Sequence, residues 1–214
     1  VTRRPRALLA VAGLAAALAL SGCAEDGLAA AGTLAPVAAA TTGPAVAGTV
    51  VDSHLAACPA SDVSVATVAG GLPDITLPCL APGSGPAQVR LAGLRGHAYA
   101  ISVWQVACAI CRQELSTIAT VAREAAGQVD FLGVDVEETQ RSAVPALFGT
   151  AGAVFSSVSD ADGATRVPLR WATGLPVMLL VRADGTVAHT IIGGVGSAPA
   201  FRAQLRQSLG VTLP

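Results

Sequence analysis

The sequence contains no lysine. All 13 basic side chains are arginines, set against 14 acids, for a net charge of −1. Nucleic-acid binding needs a basic stripe or patch, and this balance excludes one. Aromatic residues are scarce, at 3%: four Phe, two Trp and one Tyr. The hydrophobic fraction is 52%, but alanine supplies much of it, so the core is expected to be lean in rings. His54, His97 and His189 stand singly, and there is no second C-x-x-C. A structural zinc needs four suitably spaced ligands, so no metal centre is expected, and each His reads as a surface or loop residue. No repeat is visible. What the chain does have is length for one globular domain plus extra segments, at 214 residues.

The N-terminus has the pattern of a targeting segment. Arg3, Arg4 and Arg6 precede an apolar run, Ala7 to Leu20, of about 14 residues. That is short of the roughly 20 that span a bilayer as a helix. Leu20-Ser21-Gly22-Cys23 follows and resembles the bacterial lipobox. The resemblance implies cleavage after residue 22 and a lipid on Cys23; an ordinary secretion signal is the alternative. Removing residues 1–22 leaves 10 Arg against 14 acids, about −4. Residues 23–70 are rich in Ala, Gly, Thr and Pro and are expected to form a flexible tether. Residues 71–214 are expected to form the domain.

The stretch from Trp104 to Glu114 carries the chemistry: W-Q-V-A-C-A-I-C-R-Q-E. An apolar run with strand character, Ala98 to Val103, precedes it. Leu115, Ile118, Ala119 and Ala122 follow at helix spacing. Cys108 and Cys111 therefore fall where a strand turns into a helix. The first N–H groups of a helix lack intrahelical partners, and the dipole there favours an anion such as a thiolate. There are five cysteines. With Cys23 assigned to lipid, four are left in an oxidising compartment. Cys108 pairs naturally with Cys111, which leaves Cys58 and Cys79 for each other. Free thiols, or a resolving role toward Cys108, are the competing readings of that second pair.

The remaining elements follow in order. Ile75 to Leu77 is a short strand between prolines. A helix is expected from about Ala109 to Ala126 and a buried strand from Val129 to Val136, followed by the acidic Glu137-Glu138. Thr139 to Phe148 reads as helix, with Pro145 at its start or at a kink. Val177 to Arg182 and Thr186 to Ile192 are strands around an Ala183-Asp184-Gly185 turn. Pro199 to Leu209 is the closing amphipathic helix. The order β-α-β-α-β-β-α predicts an α/β domain, a mixed sheet with helices on both faces.

That order resembles the thioredoxin fold, with C-x-x-C after the first main strand and Gly174-Leu175-Pro176 before a hairpin. More narrowly, the chain is similar to the TlpA/ResA-like, membrane-tethered thiol–disulfide oxidoreductases of the redoxin group. Leu77-Pro78, Leu94-Arg95-Gly96, Trp104, the cysteine pair, Leu175-Pro176, Asp184-Gly185 and Gly193 carry the likeness, over about Ile75 to Leu209. The resemblance implies that Cys108 is the attacking thiolate and Cys111 the resolving thiol. It implies a cis Pro176 which, with Leu175 and Trp104, shapes a substrate groove. Glu114 matches an acid that some members use in active-site protonation; a solvated helix Glu is the alternative.

The likeness has gaps. Ala107 stands where the family usually has Trp, and Ile110 where it commonly has Pro. Ser102 occupies the strand position where thioredoxin has a buried acid. The resemblance implies no metal or organic cofactor. It implies protein substrates with disulfides, apocytochrome c among them, and electrons from a membrane thiol relay of the DsbD or CcdA kind. The expected location is the outer face of the cytoplasmic membrane. Two other classes stay open: a thiol peroxidase, whose usual Thr is replaced by Gln105, and a binding module in which Cys108–Cys111 is only a structural bridge.

Overall fold

The computed structural model describes residues 54–81, 83 and 85–214. Cys23, the targeting segment and most of the expected tether lie outside the described residues. Seven strands and three α-helices are described. A hairpin, β1 (Thr76–Pro78) and β2 (Gln88–Arg90), precedes the main sheet. The sheet comprises β3 (Ala98–Trp104), β4 (Val129–Val136), β5 (Ser156–Asp160), β6 (Val177–Val181) and β7 (Val187–Ile192), in the order β5-β4-β3-β6-β7. Strands β3, β4 and β5 run parallel, joined by α1 (Ala109–Glu124) and α2 (Val144–Ala151). Strand β6 is antiparallel to β3 and forms a hairpin with β7, and α3 (Ala198–Leu209) closes the domain.

The central strands are buried on both faces, which is why they read as near-continuous apolar runs. Ala100, Trp104, Phe131, Met178 and Leu180 face one layer with α1, α2 and α3. Ile101, Val103, Leu132, Val134, Val177 and Leu179 face the other. The expected helical cover divides unequally. All three α-helices pack on the first face. The second is covered by the β1–β2 hairpin and two short 3-10 helices, Leu91–Gly93 and Trp171–Thr173. Helix α1 follows its three-and-four spacing, with Leu115, Ile118 and Ala119 buried. Complete burial of a side chain such as Ile118 contributes about 1.5–3 kcal/mol.

Three local outcomes differ from the sequence reading. The helix expected from Thr139 begins at Val144, after a 3-10 turn, Arg141–Ala143. Pro145 lies in its first turn, where a missing N–H costs nothing. Strand β5 reads S-S-V-S-D and has no apolar pattern, yet all five residues are buried. Its hydroxyls are occupied: Ser156 donates to the Phe131 carbonyl, and Ser159 accepts from Arg141. Residues 54–70 lie on the tether side of the expected boundary but rest on the domain. Leu55 is buried in the helical face. Cys58 is disulfide-bonded to Cys79 and packs on the opposite face. The Asp62 N–H donates to the Gly93 carbonyl.

Candidate active site

The register of the sheet brings the redox motif and the proline together. Val103, near the end of β3, is paired with Val177, the first residue of the antiparallel β6. Trp104 to Cys108 therefore leave the sheet beside Leu175 and Pro176, and the peptide bond between those two is cis. Cys108 is the N-cap residue of α1, and its Sγ accepts the Cys111 N–H at 3.1 Å. One of the orphan amides of the helix terminus thus points at this sulfur. Cys108 and Cys111 are bonded to each other. Cys108 is half-buried, whereas Cys111 is only 4% exposed. A reagent from solvent meets Cys108 first.

A groove of about 610 Å³ opens over this sulfur. Ala107, Ile110 and Leu175 supply apolar lining, and Ile110 is 48% exposed. Its opposite wall is a fixed stack: the Arg166 guanidinium lies 4.3 Å from the Trp171 ring centroid and donates to both Glu137 carboxylate oxygens, at 2.5 and 2.6 Å.

Trp104 lies beneath the motif, 4% exposed, with its ring centroid 5.3 Å from that of Phe148. Its indole Nε1–H donates to Ser157 Oγ at 3.4 Å. Gly133 on β4 makes room for it, since a Cβ there would stand 2.8 Å from the indole nitrogen and 2.6 Å from Ser157 Oγ. Glu114 is a buried acid rather than a solvated one, 8% exposed, and its Oε2 accepts the Val195 N–H at 2.9 Å. Burial pushes its carboxyl pKa up, and the Val195 N–H partly offsets that. Gly194, at φ +115°, lets the loop pass close: a Cβ there would be 3.0 Å from Glu114 Oε2.

Arg112 makes no hydrogen bond to Cys108. Its guanidinium donates to the Val106 carbonyl at 2.5 Å. The other end of Val106 is also held, because its N–H donates to Glu138 Oε2 at 2.6 Å. Glu138, which the sequence showed only as one of an acidic pair, and Asp135 are acids near the motif to which the sequence reading gave no role. Asp135 is completely buried at the end of β4. The available signal was an acid interrupting the apolar run V-D-F-L-G-V-D-V. Cys58, Cys79 and their disulfide lie away from this groove, on the face covered by the β1–β2 hairpin. Among the described residues no cluster of three metal-ligating side chains occurs.

Solved structures share this arrangement of elements. A thiol:disulfide interchange protein of the thioredoxin family from Chlorobium tepidum aligns over 68% of this chain and 100% of its own, at 22% identity and a TM-score of 0.55. The chain has a thioredoxin-like fold. A DsbF homologue from Corynebacterium diphtheriae aligns over 65% of this chain and 86% of its own, with 18% identity and a TM-score of 0.55. An exposed lipoprotein thioredoxin from Streptococcus pneumoniae aligns over 63% and 99%, with 18% identity and a TM-score of 0.51. No family model matches the sequence, and no curated protein aligns with it. In a thioredoxin-like domain the carboxyl ends of parallel strands are where open α/β sheets place ligands. Here Cys108 follows one such end, that of β3, and Asp135 sits at the next, that of β4.

Proposed function

We propose that the protein is a thiol–disulfide oxidoreductase working by dithiol exchange through Cys108 and Cys111. The observation that carries the reading is the asymmetry of the pair: a partly buried Cys108 on a helix N-terminus, with Cys111 buried behind it. The reduced Cys108 thiolate attacks one sulfur of a substrate disulfide. A mixed disulfide forms, and the displaced substrate thiolate takes up a proton. Cys111 then loses its proton and attacks Cys108 Sγ. The second substrate thiolate leaves, and Cys108–Cys111 is oxidised. Two electrons must return to the pair, and a membrane thiol relay of the DsbD or CcdA kind would supply them. Leu175, the cis Pro176 and the apolar groove would hold the substrate chain, over Trp104. The finer family reading is TlpA/ResA-like, with a lipid on Cys23 holding the domain at the outer face of the cytoplasmic membrane. The similarity to an exposed lipoprotein thioredoxin supports that placement.

Insulin reduction tests the exchange. Cys108→Ser is expected to abolish it, and Cys111→Ser to accumulate the mixed disulfide. A Cys108–Cys111 bond that resists mild reductant, with no exchange activity, would make the pair a structural bridge. Peroxide consumption that survives in Cys111→Ser would make the protein a thiol peroxidase. Gln105 argues against the latter, since it stands where the peroxidase signature has Thr.

A further inference from the structure

Asp135 is 0% exposed, and neither of its carboxylate oxygens has a hydrogen-bond partner among the described residues. An ionised carboxylate in such a place is costly, and the group keeps a proton instead. Glu138 differs. Its Oε2 accepts the Val106 N–H and its Oε1 accepts the Gln140 N–H.

Asp135 shares its sheet face with Trp104, its ladder partner on β3. That is the face that α1 covers with Cys111 and Leu115. The charged and titratable groups around Asp135 are few. Glu138 and Arg141 follow it in the chain, and both influence its titration. Helix α1 contributes Cys111 and Glu114 on its buried side. Helix α2 contributes only Val144 and Phe148 there. Strands β3 and β5 contribute Ser102, Trp104, Ser157 and Ser159.

We propose that Glu138 positions the loop before Cys108 and that the buried Asp135 carboxyl couples its proton to that of the Cys108 thiol. The proposal rests on the thiol-exchange reading of the same site. Glu138 grips the N–H of Val106 while Arg112 grips its carbonyl, so both sides of a residue two ahead of the sulfur are held. Loss of the Asp135 proton adds a negative charge, which opposes ionisation of the thiol. Formation of the Cys108 thiolate in turn holds the proton on Asp135. Asp135 and Glu138 are positioning residues, and no electrons pass through them.

The test is the alkylation rate of Cys108 against pH in the fully reduced protein, with the modified cysteine mapped by mass. The expected wild-type profile is shallower than a single-proton curve, stretched by a second group titrating near neutrality. Asp135→Asn should give a single-proton curve, with a rate at pH 8 higher by about three- to tenfold, the effect of one nearby charge at an effective dielectric of about 20. Glu138→Gln keeps an acceptor for the Val106 N–H but removes the charge. It should move the shallow region to lower pH, and it serves if the Asp135 variant does not fold. The oxidised-minus-reduced infrared spectrum should contain a protonated-carboxyl band that Asp135→Asn removes. Identical alkylation profiles in all three proteins, or a wild-type spectrum without that band, would overturn the proposal. Alkylation needs no protein substrate. Loss of insulin reduction with the stretched profile intact would therefore sink the exchange reading alone.

Discussion

The buried acid makes a strong prediction for stability. The ordinary pKa of an aspartate is 3.8; burial, then the negative Glu138 beside it, raise that of Asp135 to about 7, against the pull of Arg141. Between those values the native state keeps a proton that the unfolded chain has released. The stability this proton contributes is fully present below pH 3.8 and is lost as pH rises through about 7. At 1.36 kcal/mol per pH unit, the whole span is worth about 4 kcal/mol. Linkage places about 3 kcal/mol of the loss between pH 5 and pH 8.

Asp135→Asn keeps the shape and removes the proton. At pH 5 it exchanges one neutral group for another, so its effect there is small. At pH 8 it relieves the wild type of a buried charge. Relative to wild type, the variant should gain about 3 kcal/mol on going from pH 5 to pH 8. Urea unfolding of the oxidised protein at pH 5, 6.5 and 8 measures this, provided that the denaturant slope is unchanged. A stability difference equal at pH 5 and pH 8 would refute the reasoning. A variant that loses ground as pH rises would show that the ionised carboxylate is favourable, the opposite of what is argued.

Three further outcomes are expected. Replacing both Cys58 and Cys79 by Ser opens a loop of sequence separation 21, and unfolding experiments should show a loss of about 3 kcal/mol by chain entropy with Cys108 chemistry retained. Glu114→Gln removes a carboxyl whose pKa burial raises, so the pH profile of insulin reduction should lose the inflection on its acid side while Cys108 alkylation persists. Gly133→Ala places a methyl 2.6 Å from Ser157 Oγ and 2.8 Å from the Trp104 indole nitrogen. Overpacking there should cost about 1–3 kcal/mol in a denaturant titration, with a changed Trp fluorescence.

Periodicity disclosed the elements whose burial rests on apolar side chains. Helix α1, strand β4 and the β6–β7 hairpin all fall where the sequence predicts them. Strand β5 was illegible because its interior is satisfied by hydroxyls and by the Asp160 carboxylate, which accepts from the Thr165 and Ala164 amides. A polar strand of that kind looks like a loop until its partners are known. The packing of residues 54–70 was hidden for a similar reason: single anchors, Leu55 and Cys58, hold a segment whose composition reads as linker. At the site, two cysteines three apart at a strand–helix junction announce themselves. Asp135 does not, because what makes it unusual is its burial against Trp104, a partner across the sheet.

The surroundings of Cys108 bear on the direction of electron flow. Its sulfur accepts one backbone N–H, from Cys111 at 3.1 Å, at the positive end of α1. Such a helix terminus is worth about 0.3–1 kcal/mol when exposed, less than the 1.36 kcal/mol of one pKa unit. The nearest arginine in sequence does not add to it, since Arg112 donates to the Val106 carbonyl. Ile110, between the cysteines, is uncharged and 48% exposed. On the buried side the site holds acids: Glu114 on α1, and Asp135 with Glu138 behind the loop. Every one of these disfavours a thiolate when ionised. A strong oxidant needs a reduced form stabilised as thiolate, and here the favourable contribution is small while the nearby carboxyls oppose it. The local electrostatics therefore argue against a strong oxidant and leave a Cys108 thiolate only weakly stabilised. They also make it depend on the Asp135 proton: above about pH 7, where that proton leaves, Cys108 should resist ionisation more.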